Sequence, residues 1–151
     1  MNSTTAAIDL MLVEDNPQDL ELALLALHDA IPDARIHVAR EGAEAVEFIF
    51  CEGPYAHRVI TDVPKVILLD LKLPKIDGLD VLKRIKGDER TKLIPIVVLT
   101  SSKEQRDVVE SYQLGVNSYI VKPVNFERFN EAVRNLGIYW QTLNQPPRGA
   151  N

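Results

Sequence analysis

Cysteine occurs once in 151 residues, at Cys51, so no internal disulfide can form and a reducing compartment, the cytoplasm, is the expected setting. Basic charge is in deficit. The 17 Lys and Arg residues against 22 Asp and Glu leave a net charge of -5, which argues against a nucleic-acid surface because phosphate binding needs a basic patch. No apolar run is long enough to cross a bilayer, and the opening "MNSTTAAIDLMLVEDN" carries no basic leader, so neither a membrane span nor a signal peptide is expected. Histidine is scarce and scattered: His28, His37 and His57 lack metal-ligand spacing. Cys51 has no evident histidine or cation to lower its pKa, so it reads as a core or semi-buried residue rather than a nucleophile.

Hydrophobic residues, by contrast, make up 46% of the chain, enough for one compact domain with a real core. No repeat or linker divides it. We expect a single domain over 1–151, with its core at about 8–136, a C-terminal helix continuing to about 143, and a flexible tail at 144–151. Met1 to Ala7 should be frayed as well.

Short apolar segments alternate with helical patterns through five units. "IDLMLV", "RIHVAR", "KVILLDL", "IPIVVLT" and "NSYIVKP" read as strands. The first helix should start with Asn16 as N-cap and Pro17 at the first helical position. Leu20, Leu24, Leu27 and Ile31 recur on one helical face, and Gly115 closes the fourth helix as a left-handed cap. The alternation predicts an α/β fold, a doubly wound parallel sheet with helices on both faces. "KVILLDL", the most apolar strand, belongs at its centre.

In such a sheet, ligands bind outside the carboxyl ends of the strands. Strand one ends in Glu14-Asp15, strand three in Asp70, strand four in Thr100-Ser101, and strand five in Lys122-Pro123. Each has a plain alternative on its own: Asp15 as a cap helper, Asp70 as a turn acid, Thr100 as an ordinary strand residue, Lys122 as a solvated charge. Four strands of five delivering polar groups to one edge is the argument for a site. Clustered carboxylates raise one another's pKa unless a cation neutralises them. Mg²⁺, a hard ion with oxygen ligands, does so while keeping waters that a phosphate can replace. Asp70 could then act as a nucleophile toward phosphorus, with the metal, Lys122 and Thr100 contacting the phosphoryl oxygens.

With Glu14-Asp15, Asp70 before "LKLPKIDG", Thr100, Tyr119 and Lys122-Pro123 in order, the chain resembles a CheY-like response-regulator receiver domain over about Ile8 to Leu136. The resemblance implies strand order 2-1-3-4-5 and phosphoryl transfer from a sensor histidine kinase to Asp70. It also implies Mg²⁺ on Asp15, Asp70 and the Lys72 backbone carbonyl, with Glu14 bound through water. A cis bond between Lys122 and Pro123 and a Thr100–Tyr119 switch belong to the same pattern. The acidic pair is Glu-Asp where Asp-Asp is commonest, Lys72 stands where Met is frequent, and Ser101 where Ala is. Lys72 and Ser102, two residues beyond Asp70 and Thr100, are therefore expected to tune dephosphorylation. The long "CEGPYAHRVITDVP" connection and extended last helix resemble the small stand-alone regulators that serve bacterial phytochromes, which implies such a kinase as partner.

Two other functions share parts of this pattern. A flavodoxin-like FMN carrier has the same topology, but needs phosphate-binding N–H groups where "VEDNPQDL" presents acids. A haloacid-dehalogenase-like phosphatase also forms an aspartyl-phosphate, but needs an acid where Lys72 stands. Finally, "FERFNEAVRNLGIYWQTL" carries Phe126, Phe129, Val133, Leu136, Tyr139, Trp140 and Leu143 beyond the usual end of a receiver. We expect its last turns, Tyr139 and Trp140 above all, to join the fourth helix and fifth strand in a homodimer face.

Overall fold

The structure, a computed structural model, describes residues 7–147. The expected fraying of residues 1–6 and of 148–151 lies outside the described residues. Five parallel strands form one sheet in the order β2-β1-β3-β4-β5. They are β1 (Leu10–Val13), β2 (Ile36–Ala39), β3 (Val66–Leu69), β4 (Ile96–Thr100) and β5 (Ser118–Val121). The helices are α1 (Pro17–Ala30), α2 (Gly42–Ile49), α3 (Gly78–Lys86), α4 (Gln105–Leu114) and α5 (Phe126–Ile138). A 3-10 turn at Gly53–Tyr55 interrupts the long connection to β3, and a π-helical turn, Tyr139–Leu143, extends α5.

The strands at the centre are apolar on both sides because both sides are covered. Along β1 and β3, side chains alternate between two cores. Met11, Val13, Ile67 and Leu69 face α2 and α3, packing with Val46, Ile49, Leu82 and Ile85. Leu10, Leu12, Val66 and Leu68 face α1 and α5, packing with Leu20, Leu27, Phe129 and Val133. Register runs unbroken across the middle, with Leu10 opposite both Ile36 and Val66. β2 and β5 are the edges, and their residues are mostly half-buried.

Helix starts follow the expected chemistry. Asn16 caps α1, its side chain accepting from the Asp19 N–H at 3.0 Å. Asp77 and Asn125 do the same for α3 and α5. Gly115 closes α4 with φ 104°, a conformation only glycine adopts without strain. Leu24 departs from the expected stripe. It is only half-buried, and the small Ala23 and Ala26 fill that layer instead, where α1 lies close to the sheet and α5.

One expectation about the C-terminal end needs correction. Trp140 is 7% exposed and belongs to the core beneath α1 and α5. It is therefore not available for a dimer face: it lies seven residues after the buried Val133, on the same side of the helix, while Tyr139 is 46% exposed. The turn is anchored from both sides, by the Asn144 N–H to the Tyr139 carbonyl at 2.7 Å and by Lys65 Nζ to the Gln141 carbonyl at 3.2 Å. Pro146 and Pro147 lie by the 61–65 segment at the amino ends of the strands.

Candidate functional site

The carboxyl ends of β1, β3 and β5 each project a charged side chain from a backbone that the sheet still holds. The Glu14 N–H donates to the Ala39 carbonyl at 3.0 Å, the Asp70 N–H to Val13 at 3.1 Å, and the Lys122 N–H to Thr100 at 2.7 Å. The side chains stand where the ladder ends, so their positions are set by the hydrogen bonds of the sheet.

They meet. Lys122 Nζ lies 2.9 Å from Asp70 Oδ2, 2.8 Å from Glu14 Oε1 and 2.8 Å from Asp19 Oδ2. Asp70 and Glu14 are 4% and 3% exposed, whereas Asp15 is open to solvent. The other oxygen of Asp70, Oδ1, accepts from the Lys72 backbone N–H at 3.1 Å. Glu14 also accepts from the Asn16 N–H at 3.1 Å.

This electrostatic arrangement is unbalanced by design of its parts: three carboxylates share one ammonium. Burial raises the Glu14 carboxyl from its ordinary 4.5 to about 7; the Lys122 hydrogen bond works against that rise and the Asp70 charge adds to it. Burial alone would depress the Lys122 ammonium, but hydrogen bonds to Asp19, Glu14 and Asp70 outweigh it and hold its pKa above the ordinary value. Lys122 is thus a fixed cation. Glu14, Asp15 and Asp70 offer oxygens that all lie within 4.8 Å of one another. A set of hard oxygen donors, one of them exposed, suits a hard divalent cation that keeps part of its water.

The expected cis bond is absent. No peptide bond among the described residues is cis, so Lys122–Pro123 is trans. Trans is the preferred isomer of an X-Pro bond by roughly 0.5–1 kcal/mol. Lys122 reaches Asp70 from a trans bond, with its main chain fixed on Thr100, so the isomer is not needed to aim it.

Thr100 is fully buried, and its hydroxyl accepts from the Ser102 N–H at 3.4 Å. Ser102 in turn connects three elements. Its hydroxyl donates to Asp107 Oδ2 at 2.6 Å, and its carbonyl accepts from the Tyr119 phenol at 3.0 Å. Burial raises the Tyr119 pKa, so the phenol stays a donor at neutral pH. Ser102 is 6% exposed and bonded on both sides, whereas Lys72 is exposed.

Two residues in this constellation were not singled out from the sequence. Asp19 touches Lys122; an acid at the third helical position of a helix that opens at the sheet's carboxyl edge is the signal that could have found it. Asp107, 8% exposed, holds Ser102. An acid in the first turn of the helix after Thr100 was the corresponding cue.

A family model for the response regulator receiver domain matches residues 10–134. Response regulator Rcp1 of Synechocystis sp. is 37% identical over 138 residues, 91% of this chain and 92% of its own. The structure of the Mn²⁺-bound form of response regulator Rcp1 is similar with a TM-score of 0.86 and 35% identity, covering 94% of this chain and 99% of that one. The phosphorylated cyanobacterial phytochrome response regulator RcpA gives 0.86 and 38%, over 94% and 99%. The bacteriophytochrome response regulator AtBRR gives 0.71 and 48%, over 93% and 100%.

Proposed function

The chain belongs to the response regulator receiver domain family, and from that premise we propose that Asp70 accepts a phosphoryl group from a sensor histidine kinase. The family binds a divalent metal at an acidic pocket, and the oxygens of Glu14, Asp15 and Asp70 fit one; we take it to be Mg²⁺, which would neutralise developing charge on the phosphoryl oxygens. One observation carries the reading. Asp70 ends the buried central strand with its carboxylate 2.9 Å from a permanent cation and beside two further acids.

In this reading a carboxylate oxygen of Asp70 forms the new bond to phosphorus while the P–N bond to the donor imidazole breaks. The electron pair of that bond stays on the imidazole nitrogen, and no proton need leave Asp70, which attacks as the anion. Lys122 supplies positive charge to the transferred group. The carbonyl of Lys72 would serve as a further metal ligand, Asp15 as a direct one and Glu14 through water. Thr100 would turn its hydroxyl to a phosphoryl oxygen, with Tyr119 responding; the Ser102 bonds described above connect the two. Lys72 and Ser102 would set how fast water removes the group.

A bacterial phytochrome is the proposed kinase, supported by the similarity to RcpA and AtBRR. Self-association would use the face of α4, β5 and α5, and the 46% exposure of Tyr139 at the end of α5 supports that reading. The test of the central reading is labelling. Incubation with a phosphorylated sensor kinase and Mg²⁺ should give a hydroxylamine-sensitive label on wild type and none on Asp70→Asn. Label that survives this substitution, or is undiminished in EDTA, refutes it.

A further inference from the structure

Lys122 has three carboxylate partners, and they are not equivalent. Glu14 and Asp70 lie in the oxygen cluster suited to a divalent cation, while Asp19 lies outside it. Glu14 and Asp70 are buried at strand ends; Asp19 sits in the first turn of α1 with its side chain a third exposed. Once Asp70 carries the phosphoryl group as an acyl phosphate and Glu14 faces the cation, two of the three partners have been drawn away. Only the Asp19 bond is untouched. An ammonium on a flexible four-carbon stem, with three rotatable donors, then has no other carboxylate to hold it as it meets the phosphoryl oxygens.

Resting on the reading of Asp70 as acceptor, we propose that Asp19 is the positioning residue for Lys122. It holds the ammonium over Asp70 while the other two partners change. Its own place is well fixed. The Asp19 N–H bonds the N-cap Asn16 at 3.0 Å, and α1 packs with α5 on the same face of the sheet. Lys122 enters from the other side with its main chain fixed on Thr100. The pair, 103 residues apart in sequence, thereby ties the start of α1 to the end of β5 at the point of chemistry.

The competing account is that Asp19 is a nonspecific negative charge near the site. A double-mutant cycle separates the two, because residues acting through one another are non-additive. Labelling of Asp70 by phosphoramidate, a small-molecule donor that needs no kinase, is measured in wild type, Asp19→Ala, Lys122→Gln and the double variant. Mg²⁺ affinity of the same four proteins is measured by titration calorimetry. Asp19→Ala should slow labelling about tenfold, while in the Lys122→Gln background it should cost less than about twofold. Mg²⁺ binding should weaken about threefold in Asp19→Ala, because the ammonium then leans wholly on Glu14 and Asp70, and should not change in the Lys122→Gln background. Asp19→Glu should restore most of the labelling rate. Equal losses in both backgrounds, in either measurement, overturn the proposal. If wild type takes no label, the acceptor reading fails, and the Mg²⁺ cycle still decides whether Asp19 acts through Lys122.

Discussion

The phenol of Tyr119 donates to the carbonyl of Ser102 at 3.0 Å, which joins the edge strand β5 to the loop between β4 and α4. The same serine places its hydroxyl 2.6 Å from the buried carboxylate of Asp107. Removing that hydroxyl leaves a buried acid without its partner. Ser102→Ala should therefore cost about 1–3 kcal/mol in urea denaturation. Tyr119→Phe breaks the link more gently. It should label at Asp70 like wild type, yet the chemical shifts of α4 should no longer respond to a phosphoryl mimic; an unchanged response would place the switch elsewhere.

Lys72 is exposed beside Asp70 and uses only its backbone N–H to hold the acceptor. Its side chain is thus free to be exchanged without disturbing Asp70. Lys72→Met and Lys72→Glu should be labelled on Asp70 as wild type is, but lose the label at altered rates. Identical decay in all three proteins would remove Lys72 from the hydrolytic step.

Gly78 supports the acceptor from behind. A Cβ built there would lie 2.4 Å from both the Asp70 carbonyl oxygen and the Leu71 Cα, backbone that cannot step aside. Gly78→Ala should destabilise the fold by about 1–3 kcal/mol and slow labelling as well, because the displaced atoms belong to Asp70. Wild-type labelling in a destabilised Gly78→Ala protein would show that the loop tolerates the shift.

His37 makes acid stability predictable in sign. Its ring stacks on Phe48 with centroids 3.8 Å apart, and Nε2 is buried with no hydrogen-bond partner. Burial lowers its pKa from the ordinary 6.5, Glu44 opposing and Arg58 adding. The unfolded chain then takes up the proton more readily than the folded one. His37 therefore contributes stability above about pH 6.5 that is lost as pH falls through the folded value. Denaturation midpoints at about pH 7.5 and about pH 5 should differ less in His37→Phe than in wild type. An equal drop in both proteins would assign the acid sensitivity to other groups.

At the C-terminal end, Trp140 and Tyr139 should separate cleanly. Trp140→Ala removes a core side chain and should cost about 3–5 kcal/mol. Tyr139→Glu changes an exposed one and should leave the melting temperature near that of wild type while weakening self-association in sedimentation. A wild-type protein that stays monomeric at high micromolar concentration, with and without phosphorylation, excludes the dimer.

The βα alternation and the acceptor edge were legible because both depend on short-range signals: apolar runs, caps such as Asn16, and polar residues at strand ends; the strand order, a relation between distant segments, came only through the resemblance to receiver domains. What escaped the sequence were contacts between distant segments. Nothing local distinguishes Asp19 touching Lys122 from an acid that favours a helix start, and nothing local distinguishes Asp107 from a solvated first-turn acid. Trp140 was misplaced for a related reason. Its spacing of seven from Val133 puts it on the buried helical face, but how far the core extends along that face depends on α1 and β1, which nothing local reveals. The isomer of Lys122–Pro123 likewise depends on the main-chain path between β5 and α5, which composition does not encode.

The ammonium shared by Glu14, Asp19 and Asp70 belongs to the chain itself. It is a tethered counter-ion, present once per site whatever the surrounding salt, and its local molarity is set by the reach of a side chain rather than by the bath. Dilution cannot remove it, and ions in solution screen so buried a charge only weakly. An incoming cation therefore joins a resident one and meets only the negative charge that the lysine leaves unbalanced. A singly charged ion brings no more charge than the lysine already supplies, whereas a doubly charged one does. Preference for divalent over monovalent ions thus follows from the tether, before any coordination geometry enters.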